Sequence, residues 1–130
     1  MSFRLLLVTL LAVLFLPGCG NTLNPFCGSA RPAPLIGSLS PSTVTVADVA
    51  QGVLLTVNGS HFVSASEVVI NDKPLAATVK SSQQLQILLT PDVISGAGTV
   101  NVSVLTPSGN SGDLGCNSGG KSSVLVLTVN

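Results

Sequence analysis

The chain has 130 residues, enough for one domain, and its five basic and five acidic side chains give a formal net charge of zero. Because charged residues make up only 8% of the chain and form no basic patch that could neutralise phosphates, the composition argues against nucleic-acid binding. The chain contains neither Trp nor Tyr, so it lacks the large aromatic surfaces on which bases and sugar rings usually stack.

The first 18 residues are predicted to form a signal peptide. Arg4 supplies a positive charge, and residues 5–16 form an apolar run that only Thr9 interrupts. A run of about twelve residues is too short to span a membrane, which takes roughly twenty, but it has the length of the apolar region of a secretory signal. We therefore expect the protein to be exported.

The apolar run ends in Leu16-Pro17-Gly18-Cys19, which resembles the lipobox of bacterial lipoproteins. In that motif an aliphatic residue three positions before the Cys and a small residue directly before it mark the cleavage site. The resemblance implies that Cys19 becomes the new N-terminus and carries the lipid that anchors the protein to the cell envelope. Because Gly20 is not the Asp that retains such proteins at the inner membrane, we expect the outer membrane if the organism has one. The alternative is a plain secretory signal that contains a Cys.

Residues 19–33 are rich in Asn, Gly, Ser and Pro without periodicity, and we expect them to form a lipidated tether. In residues 34–130, short aliphatic and β-branched runs alternate with turn residues, which is typical of strands. Strands are predicted at residues 35–39, 43–46, 52–58, 67–70, 73–76, 78–80, 85–89, 100–104 and 123–129. About seven strands at this spacing, without helical periodicity, predict an all-β, Greek-key β-sandwich.

The third predicted strand is expected to be central. Its alternation places Val53, Leu55 and Val57 on one face. Asn58-Gly59 is predicted to end this strand, and Gly59 is expected to adopt a positive φ angle.

Two later segments also have a clear pattern. Asn71-Asp72 predicts a two-residue hairpin turn between two short strands. Val100, Val102 and Val104 alternate with polar residues, so we expect these valines to point into the core.

Together these features resemble the IPT/TIG domain, an immunoglobulin-like (Ig-like) module. The resemblance covers residues 34–130 and rests on an ordered set of positions rather than on any single one. The matching residues are Pro34, Ile36, Leu39-Ser40-Pro41, Gly52, Leu55-Thr56-Val57, Gly59, Phe62, Val68, Ile70, Thr90-Pro91, Gly98, residues 100–104 and Gly109. The chain departs from the family pattern in its long loop before the last strand and in the lack of an aromatic residue in that strand.

The resemblance implies an Ig-like sandwich that serves as a binding or spacer module and is not catalytic by itself. IPT/TIG domains occur in cell-surface receptors, in bacterial surface proteins and enzymes, and in transcription factors. The predicted signal peptide excludes the transcription factors. We expect no enzyme activity, no cofactor and no bound metal or nucleotide.

The three cysteines are Cys19, Cys27 and Cys116. Lipidation of Cys19 would leave an even pair in an oxidising compartment. In an Ig-like sandwich the N-terminus and the loop before the last strand share one end, so the topology implies a disulfide between Cys27 and Cys116. The same end would carry His61 and Asp113 and would face the membrane. Two free thiols are the alternative.

Residues 115–122 satisfy the phosphate-loop pattern Gly-x4-Gly-Lys-Ser. Phosphate binding by this motif requires a helix directly after the loop, because the helix N-terminus and the loop amides hold the phosphates. Here the β run of residues 124–129 follows. We therefore interpret the match as incidental.

His61 is the only histidine, and a Ser-His-Asp hydrolase would have to use it. Its position in a turn predicts a surface side chain instead. The acidic residues are scattered over separate loops and strand ends, so they predict neither a glycosidase pair nor a calcium loop. They are Asp48, Glu67, Asp72, Asp92 and Asp113. Asn110, Asp113 and Asn117 share the long loop but offer little ligand charge.

Three functions therefore compete. The first is a non-catalytic, membrane-tethered Ig-like module that binds a protein partner or the cell envelope through a sheet face, a sheet edge or the end opposite the anchor. The second is a carbohydrate-binding module, which the lack of Trp and Tyr disfavours. The third is a small secreted hydrolase that uses His61.

Overall fold

The computed structural model describes residues 31–108 and 119–130, which form ten strands and one short helix. The strands are β1 (Leu35–Ser40), β2 (Thr43–Val44), β3 (Val53–Ser60), β4 (Glu67–Ile70), β5 (Lys73–Ala76), β6 (Thr78–Ser81), β7 (Gln84–Leu89), β8 (Gly98–Thr106), β9 (Gly120–Lys121) and β10 (Leu125–Val129). The helix α1 covers Val46–Gln51. Each of the nine predicted strands has a counterpart, and the tenth strand is β9, which lies before the predicted last strand.

The strands form two sheets. The first sheet has the order β1-β3-β7-β6, and the second has the order β2-β10-β8-β4-β5, with β9 also paired to β8. Neighbouring strands are antiparallel except for β2 and β10, which run parallel. Within the described residues the chain changes sheet after β1, β2, β3, β5 and β7, which gives a two-sheet sandwich of the Ig-like kind. The predicted fold class is confirmed.

The core lies between the inner faces of the two sheets. Leu55 and Val57 on β3 are completely buried, and β3 lies between β1 and β7, so it is central in its sheet as predicted. On β8, Val100, Val102 and Val104 are all at most 4% exposed, which confirms their predicted inward orientation. Burial of each such side chain contributes about 1.5–3 kcal/mol to stability.

The hairpin between β4 and β5 forms as predicted. Ile70 pairs with Lys73, which leaves Asn71 and Asp72 as the two turn residues. Both have positive φ angles, 46° and 67°, and two successive positive values are the requirement of a type I′ turn. Asn and Asp adopt this conformation more readily than other residues with a Cβ, which explains why the sequence marks this turn clearly.

The predicted end of β3 at Gly59 is wrong. The strand continues to Ser60, and the positive φ angle of this region, 61°, belongs to His61 instead. Gly59 is required for a different reason, which is close packing. A Cβ atom at this position would collide with the carbonyl oxygen of Leu35 on β1 and would lie 2.7 Å from Cζ of the buried Phe62.

The helix α1 lies where the sequence predicts the end of a strand and no helix. Thr45 caps its N-terminus: the Thr45 hydroxyl accepts a hydrogen bond from the backbone N–H of Asp48 at 3.1 Å, and the Asp48 carboxylate accepts one from the backbone N–H of Thr45 at 2.9 Å. This reciprocal capping box was the available signal, with Asp in place of the more common Glu. Among the described residues, none forms a helix with the length and apolar character that a membrane crossing demands.

Candidate interaction surfaces

The outer face of the first sheet carries an exposed apolar pair. Leu54 on β3 and Leu88 on β7 lie directly opposite each other, and their exposed fractions are 49% and 54%. Residues in direct cross-strand register are in contact distance, so the two leucines form one patch rather than two isolated side chains. The alternation of β3 places Leu54 on this face, but its pairing with Leu88 depends on the β3–β7 register and was not predicted.

Amide and hydroxyl groups lie next to this pair, and a third exposed leucine, Leu35 on β1, lies opposite Ser60 at the far end of the face. Gln84 donates a hydrogen bond to the side-chain oxygen of Asn58 at 3.3 Å, and the Asn58 amide donates to the hydroxyl of Ser38, also at 3.3 Å. In the next row Gln86 donates to the hydroxyl of Thr56 at 3.4 Å. These bonds link β1, β3 and β7 across the surface. They hold the polar side chains in a flat, ordered arrangement beside the leucine pair.

The first sheet is nearly without charge. Its four strands contain a single charged residue, Lys80, which lies on the edge strand β6. No carboxylate lies in these strands, and Lys80 sits where the pairing of β6 with β7 shifts register. The outer face of the first sheet is therefore an apolar patch surrounded by neutral polar groups.

The sheet edges are poorly suited to pairing with an added strand. The edge strands β1 and β6 both contain register shifts, and β6 also carries Lys80. The edge strand β5 contains Lys73 and Pro74, while β2 is only two residues long. Bulges, Pro, Lys and short length are the usual devices that prevent edge-to-edge association. Among the surfaces that the sequence left open, the outer face of the first sheet is the better candidate.

The N-terminal segment lies at one end of the sandwich. The Arg31 guanidinium donates a hydrogen bond to the carbonyl of Pro107 at 3.0 Å, and the Arg31 carbonyl accepts one from Gly119 N–H at 2.6 Å. His61 lies at the same end, with Nδ1 3.3 Å from the carbonyl oxygen of Ala33. Three parts of the chain therefore meet at this end. They are the start of the described chain, the turn after β3, and the residues that directly precede and follow 109–118.

Several predicted site residues lie outside the described residues. They are the lipidation site Cys19, the disulfide pair Cys27 and Cys116, and the loop residues Asn110, Asp113 and Asn117. The lipid anchor and the disulfide stay predictions.

The part of the phosphate-loop match that the structure describes is engaged in the fold. Lys121 lies on β9 and forms a salt bridge with Asp72, with Nζ 3.2 Å from Oδ1. The Ser122 hydroxyl accepts a hydrogen bond from Val104 N–H at 2.8 Å and donates one to the Ser123 carbonyl at 2.7 Å. The strand β10 follows, not a helix. These contacts support the interpretation that the match is incidental.

His61 is not part of a catalytic arrangement in the described residues. Its side chain is exposed, and its only hydrogen bond in this part of the chain is to the Ala33 carbonyl. Residues 31–108 and 119–130 contain no group of three His, Cys, Asp or Glu side chains that could hold a metal ion. The pKa of Asp48 is lowered, first by the hydrogen bond from the backbone N–H of Thr45 and second by the Thr45 hydroxyl. That shift reflects helix capping.

Comparison with known proteins gives the family. No curated protein matches the chain. Among solved structures, it is similar to an auxiliary nutrient binding protein of Bacteroides ovatus, with 15% identity and a TM-score of 0.48, over 77% of this chain and 21% of that one. It is also similar to the TIG domain of human nuclear factor of activated T-cells, cytoplasmic 4, with 21% identity and a TM-score of 0.42, over 76% of this chain and 88% of that one. The chain thus spans about a fifth of the length of the B. ovatus protein.

The family model of the IPT/TIG domain matches residues 34–124, which is most of the chain and nearly the whole predicted domain. This agrees with the ordered motif positions in the sequence and with the Ig-like sandwich of the structure. The chain therefore belongs to the IPT/TIG domain family.

Proposed function

We propose that this protein is a lipid-anchored, non-catalytic module of the bacterial cell envelope that docks a protein partner on the outer face of its first sheet. Domains of the IPT/TIG family are generally non-catalytic, which favours a binding or spacer role over the hydrolase alternative. The observation that carries the proposal is the in-register pair of half-exposed leucines, Leu54 and Leu88, within an uncharged surface.

The chemistry of the face defines the partner. Protein interfaces typically have an apolar centre and a polar rim, and the leucine pair with its neighbouring amides has this arrangement. A charged partner surface would lose its hydration here without gaining an opposite charge, because Lys80 is the only charged residue in these strands. The fitting partner is therefore a protein whose matching surface is apolar at the centre and neutral around it.

The proposed anchor leaves this face accessible. Twelve residues (31 − 19) separate Cys19 from Arg31, so the tether reaches at most about 42 Å at roughly 3.5 Å per residue. Arg31 lies at the His61 end of the sandwich, which would then point toward the membrane. The outer face of the first sheet runs parallel to the strands and so would stand roughly upright beside the bilayer. Mass spectrometry of the N-terminal peptide tests the anchor, and an unmodified Cys19 in membrane-purified protein would refute it.

The docking face can be tested with matched surface variants. Leu88→Glu places a charge in the leucine pair, whereas Val126→Glu places one at an equally exposed position, 54%, on a strand of the second sheet. We expect photo-crosslinking in native membranes to capture a defined partner with wild type and Val126→Glu. The yield with Leu88→Glu should be at least about tenfold lower, since burial of an unpaired charge costs more than 1.4 kcal/mol.

Both variants should melt like wild type by circular dichroism, which shows that any loss of capture is local. Equal yields from all three proteins would exclude this face as the docking site. Loss of capture with Val126→Glu alone would place the partner on the second sheet instead.

The amide row favours carbohydrate binding as the second candidate, because Asn58, Gln84 and Gln86 could form hydrogen bonds with sugar hydroxyls. The only Phe, Trp or Tyr side chain in the described residues is Phe62, which is 3% exposed and offers no stacking surface. Binding of a glycan on an array that is lost with Gln84→Ala, and absence of a captured protein, would favour this candidate.

A further inference from the structure

The N-terminal part of the domain is attached to both sheets. The strand β1 pairs with β3 in the first sheet, from Leu35 opposite Ser60 to Ser40 opposite Thr56. The chain then crosses to the second sheet, where β2 runs parallel to β10. Consecutive strands at the start of the fold therefore hold the N-terminal chain in two separate ladders.

Three backbone hydrogen bonds secure the second attachment. Thr128 N–H donates to the Ser42 carbonyl at 3.1 Å, and Asn130 N–H donates to the Val44 carbonyl at 2.9 Å. Val46 N–H, at the start of α1, donates to the Asn130 carbonyl at 2.9 Å. The first turn of α1 thereby continues the contact of β2 with the end of β10.

The two ends of the domain chain lie at opposite ends of the sandwich. The chain enters at the His61 end, while β10 finishes at the opposite end, beside α1. A force applied between the N-terminal segment and the end of β10 therefore acts along the axes of β1 and β2. Hydrogen bonds of a ladder that is loaded along the strand axis share the force and must break together. A force across the strands breaks them one after another.

We propose that β1 and β2 form a shear clamp, and that the domain is a load-bearing spacer between its membrane anchor and a bound partner. This inference rests on the proposed function, since the load arises only if the N-terminal side is anchored and the sheets are held by a partner. A partner on Leu54 and Leu88 would bind β3 and β7, so the β1–β3 ladder would lie directly in the path of the force.

Single-molecule pulling of the full chain through two pairs of attachment points tests the clamp. Azide-bearing residues at positions 32 and 130 load the domain along the strands, whereas positions 32 and 61 lie at the same end and unzip β1 from β3, starting at Leu35 and Ser60. We expect the unfolding force between 32 and 130 to be severalfold higher than that between 32 and 61. Equal forces, or a lower force between 32 and 130, would overturn the proposal.

Val46→Pro tests the second attachment. Proline is well tolerated at the first position of a helix, and Thr45 already has the extended backbone (φ −103°, ψ 160°) that a following proline requires. The substitution removes the N–H that binds the Asn130 carbonyl. Val46→Ala keeps that N–H and is the matched control.

We expect Val46→Pro, but not Val46→Ala, to lower the unfolding force between positions 32 and 130 and to leave the force between 32 and 61 unchanged. An equal decrease for both pairs of attachment points, or no decrease for either, would overturn the role of this bond. These forces are independent of partner capture. Equal partner capture by wild type, Leu88→Glu and Val126→Glu would refute the proposed function, whereas a missing difference between pulling directions would refute the clamp alone.

Discussion

At the scale of single residues, Gly59 shows what can and what cannot be predicted from the sequence. Its place in a family-like motif indicates that a glycine is needed after the third predicted strand, but the reason is not visible in the sequence. The φ angle at Gly59 is not in the left-handed region, and the demand comes from the Leu35 carbonyl on β1 and the Phe62 ring. Contacts between strands distant in sequence cannot be deduced without the register of the sheet.

We predict that Gly59→Ala destabilises the domain by about 1–3 kcal/mol, because the added Cβ overpacks a site bounded by backbone atoms. Gly59→Val should cost more. Gly96→Ala is the matched control, since a Cβ at Gly96 has no heavy atom within 4 Å and should change stability by less than about 0.5 kcal/mol. Denaturant midpoints with unchanged slopes provide the measurement. Equal midpoints for the two alanine variants would show that β1 moves far enough to accommodate a Cβ at position 59, and would contradict the prediction.

At the scale of elements, alternation predicts most of the first sheet and the centre of the second. The strands β4 and β5 have the predicted bounds, β3 and β7 are each one residue longer than predicted, and β8 is four residues longer. The helix α1 and the strand β9 were missed, because six residues make fewer than two helical turns and two residues make only one period of a strand. The pairing of Leu54 with Leu88 in the proposed docking face was not predicted for a related reason, since it depends on the register between two strands.

The capping box of α1 makes the stability of the domain depend on pH. The hydrogen bonds from Thr45 lower the pKa of Asp48 in the folded state, so its stabilising contribution is present above the unfolded pKa, about 4, and is lost as the pH falls through the lower folded value. We expect Asp48→Asn to be less stable than wild type at pH 7, with the difference vanishing toward pH 2. Urea unfolding at both pH values measures this. Asp92→Asn, which removes an exposed loop carboxylate, is the control. A difference that persists at low pH would assign the effect to something other than the charge.

At the scale of the whole molecule, contacts among the described residues are compatible with the predicted disulfide, although both cysteines lie outside those residues. Gly119 N–H binds the Arg31 carbonyl, so the chain segments that lead to the two cysteines begin at neighbouring points. Cys27 is four residues (31 − 27) before Arg31, and Cys116 is three (119 − 116) before Gly119. Spans of this length reach up to about 14 Å and 10 Å, which is sufficient for the two thiols to meet.

We predict that Cys27 and Cys116 are joined in protein isolated from the envelope without reductant. The bond would close a loop of 89 residues (116 − 27) and stabilise the fold by about 4–5 kcal/mol on the chain-entropy model. Non-reducing peptide mapping detects the linked peptides, and Cys27→Ser and Cys116→Ser should lower the melting temperature equally, with no further decrease in the double variant. Two free thiols, or different effects of the single variants, would contradict the pairing.

The interrupted sheet edges affect how neighbouring copies of the protein interact with one another. Proteins confined to a membrane surface by a lipid meet each other at far higher local densities than in solution, and in a restricted range of orientations. Open strand edges under such crowding would join neighbouring copies into continuous sheets. Here Pro74, Lys80, the two register shifts and the brevity of β2 obstruct such joins at the edge strands β1, β2, β5 and β6. If the proposed lipid anchor holds the protein at the envelope, we expect even a dense layer of these domains to stay separate molecules, each with its proposed docking face free.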